Sequence, residues 1–235
     1  MRIESSEALM TYLTSGQYPS RLELMNCEDA AQLAGLPWSL QNLFLYSCKQ
    51  INQQTVFPHS LINLMISFCP DVCKLPKLSV NLEKLLIDNC SALEELTDLP
   101  KSLSVLELAD CQALTTLPAL PETLSSLRLE RCTQLACIPA LPAGLKSLVI
   151  DNCPALCELP VLPAGLERLI IRSCHNLKSV PALPSSVTCL VMMNCRSLAG
   201  EVIVPPSVKD LSVYDCPGIS SEEVSWFGGM IFEMR

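Results

Sequence analysis

The sequence contains few of the residues on which enzyme active sites usually depend. It has 2 histidines and 8 glycines among 235 residues, and aromatic residues make up only 5%. No glycine-rich phosphate-binding loop is present, and neither His59 nor His175 is placed to form a Ser-His-Asp or Cys-His arrangement. Carboxylates are spread along the predicted sheet rather than paired in a pocket. We therefore expect no catalytic residue, no cofactor and no metal.

Long apolar runs and positively charged clusters are also missing. No run approaches the roughly 18 apolar residues that a membrane span requires, and residues 1–7 lack the apolar stretch of a cleaved secretory signal. The net charge of −8 disfavours binding to the phosphate backbone of nucleic acids. Because hydrophobic residues make up 49% and charged residues 17%, the chain is expected to fold around a well-buried core.

The sequence is rich in cysteine, and ten of its 14 cysteines are spaced 21 residues apart. Self-similarity of this length is the signature of a repeat architecture. These ten residues, the ladder cysteines, are Cys27, Cys48, Cys69, Cys90, Cys111, Cys132, Cys153, Cys174, Cys195 and Cys216. Leucine stands five residues before each of them, and an aliphatic residue or methionine stands three before. The unit is L-x-x-L-x-L-x-x-C-x-x-L-x-x-L-P-x-L-P, seen most clearly over residues 124–142.

Each unit combines a short alternating pattern with two prolines. In L-x-L the two leucines point to one side and the middle residue to the other, which predicts a short strand with one buried face. Prolines such as Pro118 and Pro121 fix φ and lack an N–H, so they favour an extended return and oppose a helix. One unit cannot bury its leucines alone, so stacked units must bury one another's leucines, with their strands in one parallel sheet.

This unit resembles the leucine-rich-repeat family, whose strand signature ends in Asn or Cys. The L-P-x-L-P return resembles that of secreted bacterial effectors of the YopM and IpaH types, which generally carry Asn at the ladder position in a slightly shorter unit. The C-x-x-L spacing also resembles plant intracellular immune receptors. The resemblance implies an α/β fold: a right-handed solenoid with a parallel concave sheet of about ten strands, an extended, polyproline-like convex side and a short N-terminal capping helix.

Both ends depart from the repeat and are expected to cap the sheet, since open sheet edges invite aggregation. Residues 5–16 predict a short helix that ends at Gly16 and whose apolar face comprises Leu9, Met10 and Leu13. For the carboxy-terminal end, a stub leading into a further domain is the alternative to a cap. The predicted division is an N-terminal capping helix, ten repeats and a C-terminal cap, over residues 1–18, 19–219 and 220–235 respectively.

The ladder cysteines are predicted to be structural and reduced. Neighbouring Cα atoms about 4.8 Å apart lie within disulfide range, but their Cβ directions run parallel, and a straight column cannot surround a zinc ion. Of the remaining cysteines, Cys73, Cys137 and Cys157 fall on the outer return, and Cys189 is expected to be a surface thiol at a strand edge. Reduced thiols indicate an intracellular working environment.

The variable strand positions are predicted to line the concave face, the usual binding surface of such solenoids. Three zones are expected along this face. The aromatic cluster comprises Phe44, Tyr46, Met65, Phe68 and Leu86. The charged centre comprises Asp88, Glu107, Asp110, Arg128, Glu130, Arg131, Asp151 and Arg172. The second apolar cluster comprises Val149, Ile170, Val191, Met193 and Tyr214.

Exposed apolar clusters are a liability unless a partner covers them, and the residue types present are those enriched at protein interfaces. The residues expected to contact a partner are Phe44, Tyr46, Met65, Phe68, Leu86, Asp88, Glu107, Arg128, Glu130, Asp151, Ile170, Arg172, Met193 and Tyr214. The sequence therefore favours a non-catalytic protein-binding module, monomeric, with no nucleic-acid partner and no membrane span.

The resemblance to bacterial effectors implies a more specific role. A dedicated bacterial secretion system would deliver such a protein into the reducing host cytosol, where it would bind a host protein. Two alternatives stay open. The IpaH-like repeats also suit the substrate-recognition part of a ubiquitin ligase whose catalytic domain is absent from this chain. The C-x-x-L spacing suits a repeat fragment of a plant-type immune receptor.

Overall fold

The computed structural model describes residues 1–15, 19–199 and 201–217. The described part contains the α-helix α1 (Ser6–Thr14) and a 3₁₀-helix over Ala30–Gly35. Its strands are β1 (Arg2–Ile3), β2 (Arg21–Met25), β3 (Asn42–Tyr46), β4 (Asn63–Ser67), β5 (Lys84–Asp88), β6 (Val105–Ala109), β7 (Ser126–Glu130), β8 (Ser147–Asp151), β9 (Arg168–Arg172), β10 (Cys189–Met193) and β11 (Asp210–Tyr214). Gly16 and the predicted C-terminal cap, residues 220–235, lie outside the described residues.

The strands form one parallel sheet in sequential order, from β1 to β11. Each strand aligns with the next at an offset of 21 residues, so that Leu106, Leu127 and Leu148 lie side by side. This register confirms the predicted α/β solenoid with its parallel sheet. Strand β1 was not predicted, because only two residues pair and Ser6 stands where a ladder cysteine would fall. It aligns Ile3 with Leu24 and continues the sheet beyond the first full repeat.

The core lies between the sheet and the return segments, and the alternating leucines of each strand point into it. In β7, Leu127 and Leu129 are 0% exposed, whereas Ser126, Arg128 and Glu130 are partly exposed. Leucines after each ladder cysteine, such as Leu135, complete the core from the return side. Burial of a leucine side chain contributes roughly 1.5–3 kcal/mol, so stacking of the repeats stabilises each short strand.

Two turns per repeat carry the chain around the core. The carbonyl of Cys132 accepts a hydrogen bond from the N–H of Leu135 at 3.2 Å, and the carbonyl of Pro142 accepts one from Leu145 at 3.1 Å. The second proline of L-P-x-L-P therefore begins a turn into the next strand. The first two returns depart from this pattern: Ala30–Gly35 form the 3₁₀-helix, with Asp29 as its N-cap, and in the second return the N–H of Thr55 donates to the carbonyl of Asn52 at 3.0 Å.

Helix α1 packs at the amino-terminal end of the solenoid. Ser5 caps it, because its Oγ accepts a hydrogen bond from the N–H of Ala8 at 3.2 Å. Leu9 and Tyr12 are buried, whereas Met10, predicted on the apolar face, is 50% exposed. The helical period explains this correction, since positions three residues apart share a face and adjacent positions do not. No helix in the described part of the chain is long and apolar enough to cross a lipid bilayer.

The ladder cysteines are buried in a row at the carboxyl ends of the strands. The Cys48 N–H donates to Cys69 Sγ at 3.3 Å, and the Cys69 thiol donates to the carbonyl of Ser67 at 3.3 Å. The thiols therefore form hydrogen bonds with the backbone of the adjacent turns, which is the structural role predicted from the spacing. All 14 cysteines lie in the described residues and are free thiols.

Candidate protein-binding face

The strand register brings the predicted surface residues together in two rows on the concave side. Phe44, Met65 and Leu86 occupy aligned positions on β3, β4 and β5. Tyr46 and Asp88 lie in the second row, with a serine aligned between them. The aromatic cluster is thus one continuous patch in the fold. Its role in binding stays a prediction.

Two side-chain contacts order the aromatic cluster, one with the neighbouring Arg21 and one within the cluster. The guanidinium of Arg21 lies 4.5 Å from the ring centroid of Phe44, a distance at which a cation is attracted to the ring face. The Tyr46 hydroxyl lies 3.7 Å from Met65 Sδ. Phe44, Tyr46 and Met65 are half-buried, whereas Phe68 is 53% exposed. The cluster therefore combines a packed base with one projecting ring.

Phe68 occupies a backbone conformation that suits other residues better. The residue before every ladder cysteine has φ between 51° and 56°: Asn26, Ser47, Phe68, Asn89, Asp110, Arg131, Asn152, Ser173, Asn194 and Asp215. This left-handed region favours glycine, asparagine and aspartate, whereas a bulky side chain is an outlier there. The sequence pattern predicts Phe68 on the sheet surface, but this residue lies in the turn that ends β4.

We predict that Phe68→Asn stabilises the protein by about 0.5–1 kcal/mol. Asparagine tolerates the left-handed turn, and the phenylalanine ring loses little packing because half of it is already exposed. The urea midpoint measured by circular dichroism is expected to rise.

The reverse change at an equivalent turn supplies the control. Asn152 has φ 53° and is exposed, so Asn152→Phe is expected to lower the midpoint by a similar amount. If both variants moved the midpoint in the same direction, the assignment of strain to the turn would be wrong.

The charged centre contains a network of four side chains. Arg131 donates to both carboxylate oxygens of Asp110 at 2.7 and 2.6 Å and also pairs with Glu130. Arg128 pairs with the same Glu130 at 2.5 Å. Burial alone would raise the pKa of Glu130, but the hydrogen bonds from Arg128 and Arg131 outweigh burial and lower it. Both arginines of this network are thus engaged within the chain.

Three carboxylates of the charged centre have no such partner. Asp88, Glu107 and Asp151 are partly exposed, and none of them forms a salt bridge with another described residue. Burial, followed by the negative charge of Asp110, raises the pKa of Asp88. The sequence predicted a centre of mixed sign. Because Arg128 and Arg131 are already paired within the chain, the groups that this centre presents without a salt bridge to a described residue are the three carboxylates and the exposed Arg172.

The second apolar cluster is less accessible than the sequence predicted. Ile170 was expected to contact a partner but is only 4% exposed, and its neighbour Val149 is only 9% exposed. Ile170 aligns with Val149 on one side and Val191 on the other, so the three aliphatic side chains cover one another. Tyr214, at the last described strand, is 49% exposed. Arg172 is exposed and Met193 is half-buried.

The cysteines outside the ladder occupy the positions expected of them. Cys73, Cys137 and Cys157 are exposed on the return segments, and Cys189 is partly exposed between the aligned residues Arg168 and Asp210. Among residues 1–15, 19–199 and 201–217, no three His, Cys, Asp or Glu residues gather closely enough to hold a metal ion.

Two features of this surface do not follow from the predicted columns. Ser67, aligned between Tyr46 and Asp88, is fully buried although its position belongs to the concave row. Trp38 and His59 form a ring contact with centroids 5.2 Å apart on the segments that precede β3 and β4. Both stand ten residues before a ladder cysteine, so the period was sufficient to place them side by side.

Comparison with known proteins supports the fold assignment. The leucine-rich repeat domain of the type III effector XopL matches with a TM-score of 0.53 and 21% identity, over 93% of this chain and 77% of that chain. YopM from Yersinia enterocolitica WA-314 aligns at 28% identity with a TM-score of 0.45, over 85% of this chain and 52% of that chain. The present chain therefore spans about half the length of YopM. No protein-family model and no curated protein sequence matches it.

The sequential parallel sheet and its 21-residue offset define a solenoid repeat protein. Its fold is that of the leucine-rich repeat domain of XopL.

Proposed function

We propose that this protein is a non-catalytic binding module that captures another protein on its concave face. The observation that carries the proposal is Phe68, an aromatic residue that is 53% exposed and held at φ 55°. Eight of the ten equivalent turns have Asn, Asp or Ser there. An exposed apolar ring lowers solubility, and a bulky residue is unfavourable at a left-handed φ. A contact between Phe68 and a partner protein explains why the chain carries this residue here.

The surroundings of Phe68 suit a protein partner better than a small molecule. Ten aligned strands at about 4.8 Å spacing give a face of roughly 700 Å², close to one side of a standard protein interface. Aromatic and methionine side chains at one part of this face supply apolar contact area. The unpaired carboxylates beside them supply charge that selects among partners.

The biological setting is part of the same proposal. The L-P-x-L-P returns and the likeness to XopL, which is described as a type III effector, favour a bacterial protein secreted into host cells. Fourteen free thiols are compatible with a reducing host cytosol. A host protein is accordingly the proposed partner, and the chain is proposed to act as a monomer in virulence.

The proposal predicts that Phe44→Ser/Tyr46→Ser/Phe68→Ser abolishes capture of the partner. Aromatic anchors at an interface typically contribute 2 kcal/mol or more each, so the triple variant is expected to lose well over ~30-fold in affinity. Tagged wild type and variant are purified from transfected host cells, and the bound proteins are quantified by mass spectrometry.

A matched variant removes three exposed aliphatic residues from the return segments instead. Val56, Val161 and Ile203 are 52%, 82% and 71% exposed, and their substitution by serine is expected to leave capture unchanged. Equal loss in both triple variants, or no loss in either, would remove the concave face from the proposal.

A further inference from the structure

A buried polar group on the concave face has no partner within the described part of the chain. Ser67 is 0% exposed, and its Oγ forms no hydrogen bond with any described residue. Strand alternation places its side chain on the face of Met65, opposite the core residues Leu64 and Ile66. An unsatisfied buried hydroxyl is unfavourable, so Ser67 is prepared to bond with a group that arrives from outside.

The neighbour of Ser67 in the same row is an unpaired carboxylate. Asp88 aligns with Ser67 across β4 and β5 and lies partly buried. The groups that act on it electrostatically are Asp110, Glu130 and Arg131, and the arginine among them is held by the two acids. A partly buried carboxylate with acidic neighbours favours an incoming cation.

Two aromatic residues adjoin this pair. Tyr46 aligns with Ser67 on its other side, and Phe68 follows Ser67 and donates its N–H to the carbonyl of Asp88 at 3.0 Å. Aromatic faces attract cations. The chain uses this attraction once already, where Arg21 covers Phe44. No cation of the described residues covers Tyr46 or Phe68 in this way.

We propose that a subsite for an arginine side chain of the partner protein is formed by four neighbouring residues: Tyr46, Ser67, Phe68 and Asp88. Within this subsite the planar guanidinium donates two N–H groups to the Asp88 carboxylate and, once a side-chain movement exposes the buried hydroxyl, a further N–H to Ser67 Oγ. Its flat face stacks on an aromatic ring. The inference rests on the proposed protein-binding function and specifies the chemistry of the partner.

Arginine suits these groups better than the other cationic side chain. A guanidinium presents several donors in one plane and stacks on rings, whereas a lysine ammonium is a compact point charge that cannot do both at once. The adjoining row of Phe44, Met65 and Leu86 is apolar. The partner segment is therefore expected to carry an apolar residue beside its arginine.

The subsite is tested with a small probe on the intact protein. N-acetyl-L-arginine methylamide is titrated at millimolar concentration while backbone amide signals are followed by NMR. Saturable shifts are expected at Ser67, Phe68 and Asp88, with weaker shifts for the lysine analogue and none for the uncharged citrulline analogue. Absent shifts in the wild type, or equal shifts for arginine and citrulline, would overturn the subsite.

Two variants assign the binding to individual groups. Asp88→Asn and Ser67→Ala are each expected to weaken binding of the arginine probe by at least ~10-fold. Asp98→Asn makes the same charge change on the return segment between β5 and β6 and is expected to have no effect. The wild-type carboxyl titration provides a check that needs no variant, because bound arginine must lower the pKa of Asp88.

Failure of the subsite and failure of the proposed function are distinguishable. If the probe does not bind but the aromatic triple variant still loses its partner, the arginine subsite is wrong and concave-face binding stands. If the probe binds but the triple variant captures the partner as well as the wild type does, the subsite exists without serving the proposed function.

Discussion

Raising the pH from 8 to 10.5 is expected to lower the free energy of unfolding by about 8 kcal/mol through three adjacent ladder cysteines. A hydrogen bond with the Cys111 thiol, together with burial, raises the pKa of Cys132 to about 12. A hydrogen bond with Cys132, together with burial, raises the pKa of Cys153. Burial raises the pKa of Cys174 to about 12.

The direction of the effect follows from the protons bound in each state. In the unfolded chain each thiol loses its proton near pH 8.5, whereas the folded chain retains it until about pH 12. Between these values the folded state holds more protons, so each thiol lowers stability by about 1.4 kcal/mol per pH unit. Stability contributed below pH 8.5 is therefore lost as the pH rises toward 12.

Urea unfolding followed by circular dichroism at a series of pH values measures this slope. Cys132→Ala is expected to reduce the alkaline slope by about 1.4 kcal/mol per pH unit. A control that replaces Cys73, Cys137 and Cys157, which are exposed, with serine is expected to keep the full slope. A free energy of unfolding that stayed constant to pH 10.5 would show that Cys132, Cys153 and Cys174 do not retain their protons in the folded state.

Leu127→Ala is expected to lower the free energy of unfolding by about 2–5 kcal/mol, the range for a fully buried leucine. Leu127 is 0% exposed in the central strand β7 and aligns with Leu106 and Leu148. Each repeat contacts mainly the repeats beside it, so the loss of stability is expected to be largest in β7 and the strands next to it. Hydrogen exchange is expected to accelerate most in β6, β7 and β8 and least in β2 and β3.

The same change at the end of the described sheet provides the comparison. Leu211 occupies the equivalent position in β11 but is only partly buried, so Leu211→Ala is expected to cost far less. Uniform acceleration of exchange along the whole sheet in Leu127→Ala would contradict the picture of independently stacked repeats.

The periodic columns of the sequence predicted the sheet well because the same short pattern forms the same strand in every repeat. Leucine five residues before each ladder cysteine indicated strands, and the register aligns these leucines across β2 to β11. Features that occur once were harder to predict. Strand β1 has only two residues, and Met10 was placed on the buried side of α1 although it is half exposed.

On the concave face, the position of a residue in the repeat does not predict how exposed its side chain is. Ile170 and Val191 occupy the same column of the repeat, yet Ile170 is buried between the flanking valines and Val191 is partly exposed. The column of residues directly before the ladder cysteines forms left-handed turns, which the sequence-based interpretation did not predict. Asn, Asp and Ser at eight of its ten positions were a usable signal for a left-handed turn, and they would have marked Phe68 as the exception.

The sequence by itself determined the length of the repeat, the parallel direction of its strands and the identity of the buried columns. Apolar residues at a period of 21 are buried together only when successive turns stack. The tertiary structure alone decided which concave side chains are accessible and which charges are paired. Those properties depend on neighbours one and two repeats away, whose side-chain sizes and contacts the period does not specify. Arg131 thus engages Asp110 from the preceding repeat and leaves Asp88, one repeat further back, without a salt bridge to a described residue.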